Sequence, residues 1–164
     1  MVLVILVLLI AGESIYLFLD RITKKATIGS TAEVTELDSG ITFLARVDTG
    51  AAFSSLHFEE LSIEEESIEA HDNIGKQIKV LLKNKRGHQE WIRTRIIDYN
   101  TIYNAEGKEQ RYFVRLNLLC QGVTLEALFT LNDRSAMGYP MLIGREFLRN
   151  GYVVDVEKDD RDIN

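Results

Sequence analysis

Apolar positions dominate the first nineteen residues, where the run from Met1 to Leu19 is broken only by Gly12, Glu13 and Ser14. At ~1.5 Å per residue such a run comes near the ~30 Å hydrocarbon core of a bilayer, so a single transmembrane helix within residues 1–22 is expected. Glu13 weighs against it, because a carboxylate within hydrocarbon is costly. Two other readings stand beside the anchor. A cleaved signal peptide lacks a preceding basic residue and a clear small-x-small cleavage site, and a buried core helix requires a partner for every face.

After this run the period of the pattern becomes two. Residues 23–30 read as a linker containing Gly29 and Ser30, and 31–157 as one folded domain followed by a polar tail, 158–164. Thr31 to Leu37 and Ile41 to Val47 are strand candidates on either side of an Asp38-Ser39-Gly40 turn. Glu59 to Glu69 is acid-rich and reads as a solvated face or loop. Gln77 to Lys83 and His88 to Ile97 are two more strands, joined by Asn84-Lys85-Arg86-Gly87, a hairpin signal.

From Arg111 to Leu119, Tyr112, Val114, Leu116 and Leu118 alternate with Arg111, Arg115 and Asn117. Leu125 to Leu131 alternates in the same way, and both stretches are expected to be half-buried strands. Arg145 to Asn150 is one or two helical turns with Gly151 at the C-cap, and Tyr152 to Val156 is a last strand. Many short strands and one short C-terminal helix predict an all-β domain of closed-barrel type.

Composition narrows the partners rather than the fold. The 164 residues carry 19 basic and 25 acidic side chains, a net charge of −6. No basic cluster interleaved with aromatic residues is present, so nucleic acid is not an expected partner. The single cysteine, Cys120, has no partner for an intrachain disulfide and reads as a small apolar filler on a strand.

Chemistry is concentrated at one place. The strand ending at Val47 stops at Asp48-Thr49-Gly50-Ala51, which puts a carboxylate on a tight loop at a strand end. Taken alone this is also ordinary turn chemistry. A second stretch, Tyr139-Pro140-Met141-Leu142-Ile143-Gly144-Arg145, has two apolar residues before Gly-Arg and then a helical pattern.

The two stretches together resemble the retropepsin-like aspartic peptidases, in which an Asp-Thr-Gly-Ala loop packs beside a later hydrophobic-hydrophobic-Gly-Arg segment. Ser54-Ser55-Leu56-His57, Asp133-Arg134-Ser135 and Val153-Val154-Asp155-Val156 extend the likeness, over roughly residues 30 to 157, to a bacterial branch labelled ATP-dependent zinc protease and linked to ribosomal-protein modification. The resemblance implies an aspartic endopeptidase acting on a protein or peptide. Asp48 would be catalytic, Thr49, Gly50 and Ala51 would shape its loop, and Leu142, Ile143, Gly144 and Arg145 would support it.

Aspartic peptidases need two carboxylates sharing a proton, and this chain has one Asp-Thr-Gly, so a homodimer supplying Asp48 twice is implied. The pair would titrate as a unit, with an acid-leaning activity profile. An extended substrate would lie under a hairpin flap, for which Asp98 to Arg111 is the candidate; an ordinary long hairpin loop is the alternative. Viral retropepsins often carry acids after Asp-Thr-Gly-Ala, one of which pairs with the Gly-Arg arginine. This chain has Ala52 and Phe53 instead, so Arg145 must find another partner.

The zinc and ATP of the branch label find no counterpart in the residues. His57, His71 and His88 lack ligand spacing, no His-Glu-x-x-His occurs, and no Gly-rich phosphate loop is present, so no metal or cofactor is expected. Two other readings remain open: a retropepsin-like domain that binds or scaffolds a peptide without cutting it, and a processing partner for a peptide-ligating enzyme. Arg21, Lys24 and Lys25 after the apolar run would leave the domain in the cytoplasm. Anchored members of the branch are periplasmic, which places the periplasm narrowly ahead.

Overall fold

The structure, a computed structural model, describes residues 25–104 and 107–158. The expected membrane helix over 1–22 lies outside the described residues, and among those described no helix is long and apolar enough to cross a membrane.

The domain is all-β with one short α-helix. The strands are β1 (Ala26–Ile28), β2 (Thr31–Glu36), β3 (Thr42–Val47), β4 (Ser54–His57), β5 (Glu60–Ile63), β6 (Gln77–Lys83), β7 (Gln89–Asn104), β8 (Gly107–Cys120), β9 (Val123–Asn132), β10 (Met141–Ile143) and β11 (Tyr152–Val154). A 3-10 turn spans Ala70–Asn73, and helix α1 spans Arg145–Leu148. Nine strands form one sheet in the order β2-β3-β10-β4-β9-β8-β7-β6-β5, and β2 also pairs with β8. In place of the simple closed barrel expected from the sequence, strand pairing returns from β8 to β2 while β7, β6 and β5 continue the order beyond it.

Alternation set most of these strands correctly. Along β6, Ile78, Val80 and Leu82 are buried between half-exposed neighbours, and in β3 Phe43, Ala45 and Val47 face inward. Phe43, Phe129, Phe147, Leu56, Met141 and Ile143 are among the fully buried side chains. Burying a large apolar side chain contributes roughly 1.5–3 kcal/mol, so this inner layer is the main support of the sheet.

Three stretches differ from expectation. Ala26–Ile28, read as linker, is β1: it pairs in parallel with β11, and Ile28 is fully buried. Three residues carry too little periodicity to be told from a connector. The acid-rich segment contains an edge strand, β5, antiparallel to β6, with Leu61 and Ile63 on its inner side. Its acids sit at the sheet margin, where charge discourages further pairing. The β7–β8 hairpin is also far longer than expected, its register running out to Asn104 opposite Gly107.

Tyr152 ties the last strand to the sheet. Its ring stacks on Phe147 with centroids 5.1 Å apart, and its hydroxyl donates to the Cys120 carbonyl at 3.1 Å. Burial, followed by the neighbouring Cys120, pushes the phenol well above the ordinary tyrosine range. Tyr152→Phe keeps the ring but leaves a buried carbonyl without this donor, and is expected to cost about 1–2 kcal/mol in chemical denaturation. The folded pKa is raised, so the phenol's contribution is full below the unfolded value of ~10 and is lost as pH rises beyond it. The gap between wild type and variant therefore narrows in strongly alkaline buffer.

Candidate active site

Strand β10 explains how two distant motifs meet. It inserts between β3, to which it runs parallel with Ile143 opposite Val47, and β4, to which it runs antiparallel with Leu142 opposite Ser55. The chain leaves β3 at Asp48, turns, and returns as β4, so the Asp-Thr-Gly-Ala turn wraps the end of β10. The Asp48 amide closes this junction by donating to the Ile143 carbonyl at 2.9 Å.

The loop fixes its own acid. Asp48 Oδ1 accepts from the Gly50 amide at 2.8 Å and the Ala51 amide at 3.2 Å, which leaves Oδ2 available to the cavity. Asp48 is half-buried, whereas Thr49 and Gly50 are exposed. The turn presents a carboxylate whose orientation is set by backbone N–H groups.

The Gly-Arg segment locks the turn from behind. The Arg145 amide donates to the Ala51 carbonyl at 2.9 Å, the Glu146 amide to Ala52 at 3.1 Å, and the Gly144 amide to Ser54 Oγ at 3.1 Å. Arg145 Nη1 donates to the carbonyls of Thr49 and Gly50 at 3.1 and 2.6 Å. The partner that Arg145 needs is therefore backbone rather than an acid. The two N–H groups of one terminal guanidinium nitrogen serve two adjacent carbonyls, and Ala52 and Phe53 do not have to supply a carboxylate.

A cavity of about 610 Å³ opens in front of Asp48. Gly50, Ala51 and Leu142 of the two motifs line it, Thr101, Ile102 and Tyr103 from the end of the β7–β8 hairpin form another wall, and Arg134 and Met137 bring in the 133–138 loop. Of the remaining motif residues, Ile143 is fully buried beneath the turn and Arg145 is on the exposed rim. The hairpin chosen as the candidate flap is thus adjacent to the acid.

Several lining residues escape a sequence reading. Arg111 occupies what looked like a solvent-facing position of an alternating strand, yet it is 7 % exposed. In β8, Val114, Leu116, Leu118 and Cys120 face the core, while Arg111 and Phe113 are on the other face. That face is covered by the site: Phe113 meets Phe53 edge to face with ring centroids 5.1 Å apart. Period two assigns two faces but does not say which one water sees. The switch coincides with a register irregularity opposite Ile96 and Asp98 of β7.

Arg134 is likewise buried. Its amide donates to His57 Nδ1 at 2.9 Å and its Nε to the Tyr139 carbonyl at 3.1 Å, so the end of β4 and the approach to β10 both hold it. His57 acts here as an acceptor at the base of a loop. Burial first, then the nearby Arg111, lower the Arg134 pKa from the usual arginine range, and Asp48 opposes them. Guanidinium remains a cation through such a shift.

Residues 27–162 match the RimB-like family, described as retropepsin-like aspartic endopeptidase RimB. The chain belongs to this family. Proteins named probable alpha-L-glutamate ligase are similar to it: one from Shewanella halifaxensis (strain HAW-EB4) is 33 % identical over 118 residues, 68 % of this chain and 24 % of that protein. Another, from Parasynechococcus marenigrum (strain WH8102), is 32 % identical over 143 residues, 82 % of this chain and 29 % of that protein. The RimB-like chain thus spans about a quarter of the length of these relatives. A crystal structure of a protein of unknown function from Legionella pneumophila subsp. pneumophila str. Philadelphia 1 shares the fold, with a TM-score of 0.66 and 22 % identity over 81 % of this chain and 95 % of that one.

Proposed function

We propose that this chain is an aspartic endopeptidase that hydrolyses peptide bonds with water activated between two aspartates, Asp48 from each subunit of a homodimer. The observation that carries this reading is an Asp48 carboxylate oriented by the Gly50 and Ala51 amides at a cavity walled by a long hairpin. One ionised Asp48 takes a proton from the water as it attacks the scissile carbonyl, and the protonated partner donates to the carbonyl oxygen. An extended peptide lies between the Asp48 turn and the β7–β8 hairpin.

The name of the relatives, probable alpha-L-glutamate ligase, makes peptides with α-linked glutamate the first substrates to try, with the chain acting as a processing partner of such ligases. Residues 1–22 would hold the enzyme at a membrane, with the domain on the periplasmic side.

The dimer requirement gives the test. Specific activity of the full chain toward a glutamate peptide is expected to rise with protein concentration and to level off as the mass in solution doubles, with a maximum on the acid side of neutrality. A monomer with constant specific activity would sink the paired-aspartate mechanism. A stable dimer that binds the peptide and leaves it uncut would make the domain a binding module.

A further inference from the structure

The cavity at Asp48 contains more buried positive charge than the proposed hydrolysis uses. Arg111 and Arg134 each line it at 7 % exposure, and the other charged group in the wall is Asp48 itself. Among the described residues neither arginine lies within ion-pair distance of Asp48, so the three do not neutralise one another directly. Arg111 Nη2 pairs with Glu109 at 2.6 Å, on the same strand and half-exposed, but its buried Nε has no hydrogen-bond partner. Ser55, 4 % exposed on β4, lines the same cavity, and its Oγ is also buried without a partner.

These unpaired groups are chemically matched. A buried guanidinium N–H left unpaired is costly, as is a buried cation with an incomplete set of acceptors, and native structures rarely keep either without a reason. A ligand that satisfies these groups must offer several acceptor lone pairs and carry negative charge. A carboxylate does both, accepting from a guanidinium and a hydroxyl in charge-assisted hydrogen bonds. The rest of the wall, including Thr130, Asn132, Met137 and Leu142, is neutral. With its backbone amide bonded to His57 and its Nε to the Tyr139 carbonyl, Arg134 is positioned before any ligand arrives, which limits the ordering cost of binding.

Resting on the peptidase reading above, we propose that Arg111, Arg134 and Ser55 form a subsite beside Asp48 that takes the side-chain carboxylate of an acidic residue adjoining the scissile bond. Ser55 donates its hydroxyl, and Arg111 turns an unpaired Nε–H toward the ligand while Glu109 holds its other end. These are specificity-determining residues, distinct from the acid that carries the chemistry.

The test uses the full chain with Asp48→Asn, titrated with N-acetylated, C-amidated tetra-α-L-glutamate and with the matching tetraglutamine, so that only side chains differ in charge. The glutamate peptide is expected to bind at least about tenfold more tightly, with the gap shrinking as salt is raised. Adding Arg111→Gln or Arg134→Gln is expected to bring the two peptides within about threefold, chiefly by weakening the glutamate peptide, with an unchanged circular dichroism spectrum as the check that the variant is folded. Equal binding of the two peptides with both arginines present overturns the subsite, as does a preference that survives both substitutions. Should an arginine variant unfold, the ratio with both arginines present and its salt dependence decide. The unaltered chain separates the two proposals. A glutamate preference in binding without any cleavage sinks the peptidase and leaves the subsite, whereas equal cleavage of both peptides sinks the subsite and leaves the peptidase.

Discussion

Asp48→Asn is expected to lower kcat/KM by about three to four orders of magnitude or more while leaving the melting temperature nearly unchanged, because it removes a general acid–base group and little else. The replacement is isosteric. Its Oδ1 can still accept from the Gly50 and Ala51 amides, the bonds of 2.8 and 3.2 Å that shape the turn. What is lost is the ability of the group to exchange a proton with water and to carry charge. Asparagine pairs in a dimer cannot pass a proton between them, so neither the base nor the acid role survives.

The same substitution separates the dimeric mechanism from any single-chain one. Mixed with an equal amount of wild type and allowed to exchange, the variant would convert half of the subunit pairings into hybrids with one carboxylate. Activity of the mixture would then fall below the sum of its parts. Cleavage within tenfold of wild type in the pure, folded variant would remove Asp48 from the chemistry.

The sequence made some of this legible and not the rest, for physical reasons that can be located. Strands such as β6 and β3 alternate over six or seven residues against one core, and their pattern carries both boundaries and facing. β4 is buried at all four residues, Ser54 to His57, because β9 and β10 flank it and both its faces are covered. Such a strand has no alternation to read. Asp48 and Arg145 stand out because a short motif concentrates unusual residue types, whereas Arg111 sits in an ordinary period of two whose outer face happens to be roofed by Phe53 and the site loops. Its role depends on what folds over it from far away in the chain, and no local window contains that information.

Gly144→Ala is expected to be the most damaging single methyl in the domain. Backbone freedom is not the reason: Gly144 has φ −97° and ψ −179°, an extended conformation open to any residue. The reason is space. A Cβ there would lie 2.5 Å from the Phe53 carbonyl oxygen, 2.6 Å from its carbon and 3.1 Å from the Ala51 oxygen, all of them backbone atoms that cannot rotate away. Relief requires β10 and the start of β4 to part by nearly an ångström. That movement breaks the bonds from the Gly144 amide to Ser54 Oγ and from the Arg145 amide to the Ala51 carbonyl. Overpacking at the upper end of its usual range, with two hydrogen bonds weakened, gives a cost of about 3–5 kcal/mol. A domain of this size would melt roughly 10 °C lower. Gly138→Ala is the control, since a Cβ there meets nothing within 4 Å, and it is expected to shift stability by less than about 0.5 kcal/mol. Because the Ala51 carbonyl belongs to the turn that orients Asp48, cleavage measured well below the melting point should fall in Gly144→Ala and stay unchanged in Gly138→Ala. If Gly144→Ala melts and cleaves like wild type, the close packing of β10 against the Asp48 turn is not what holds the acid in place.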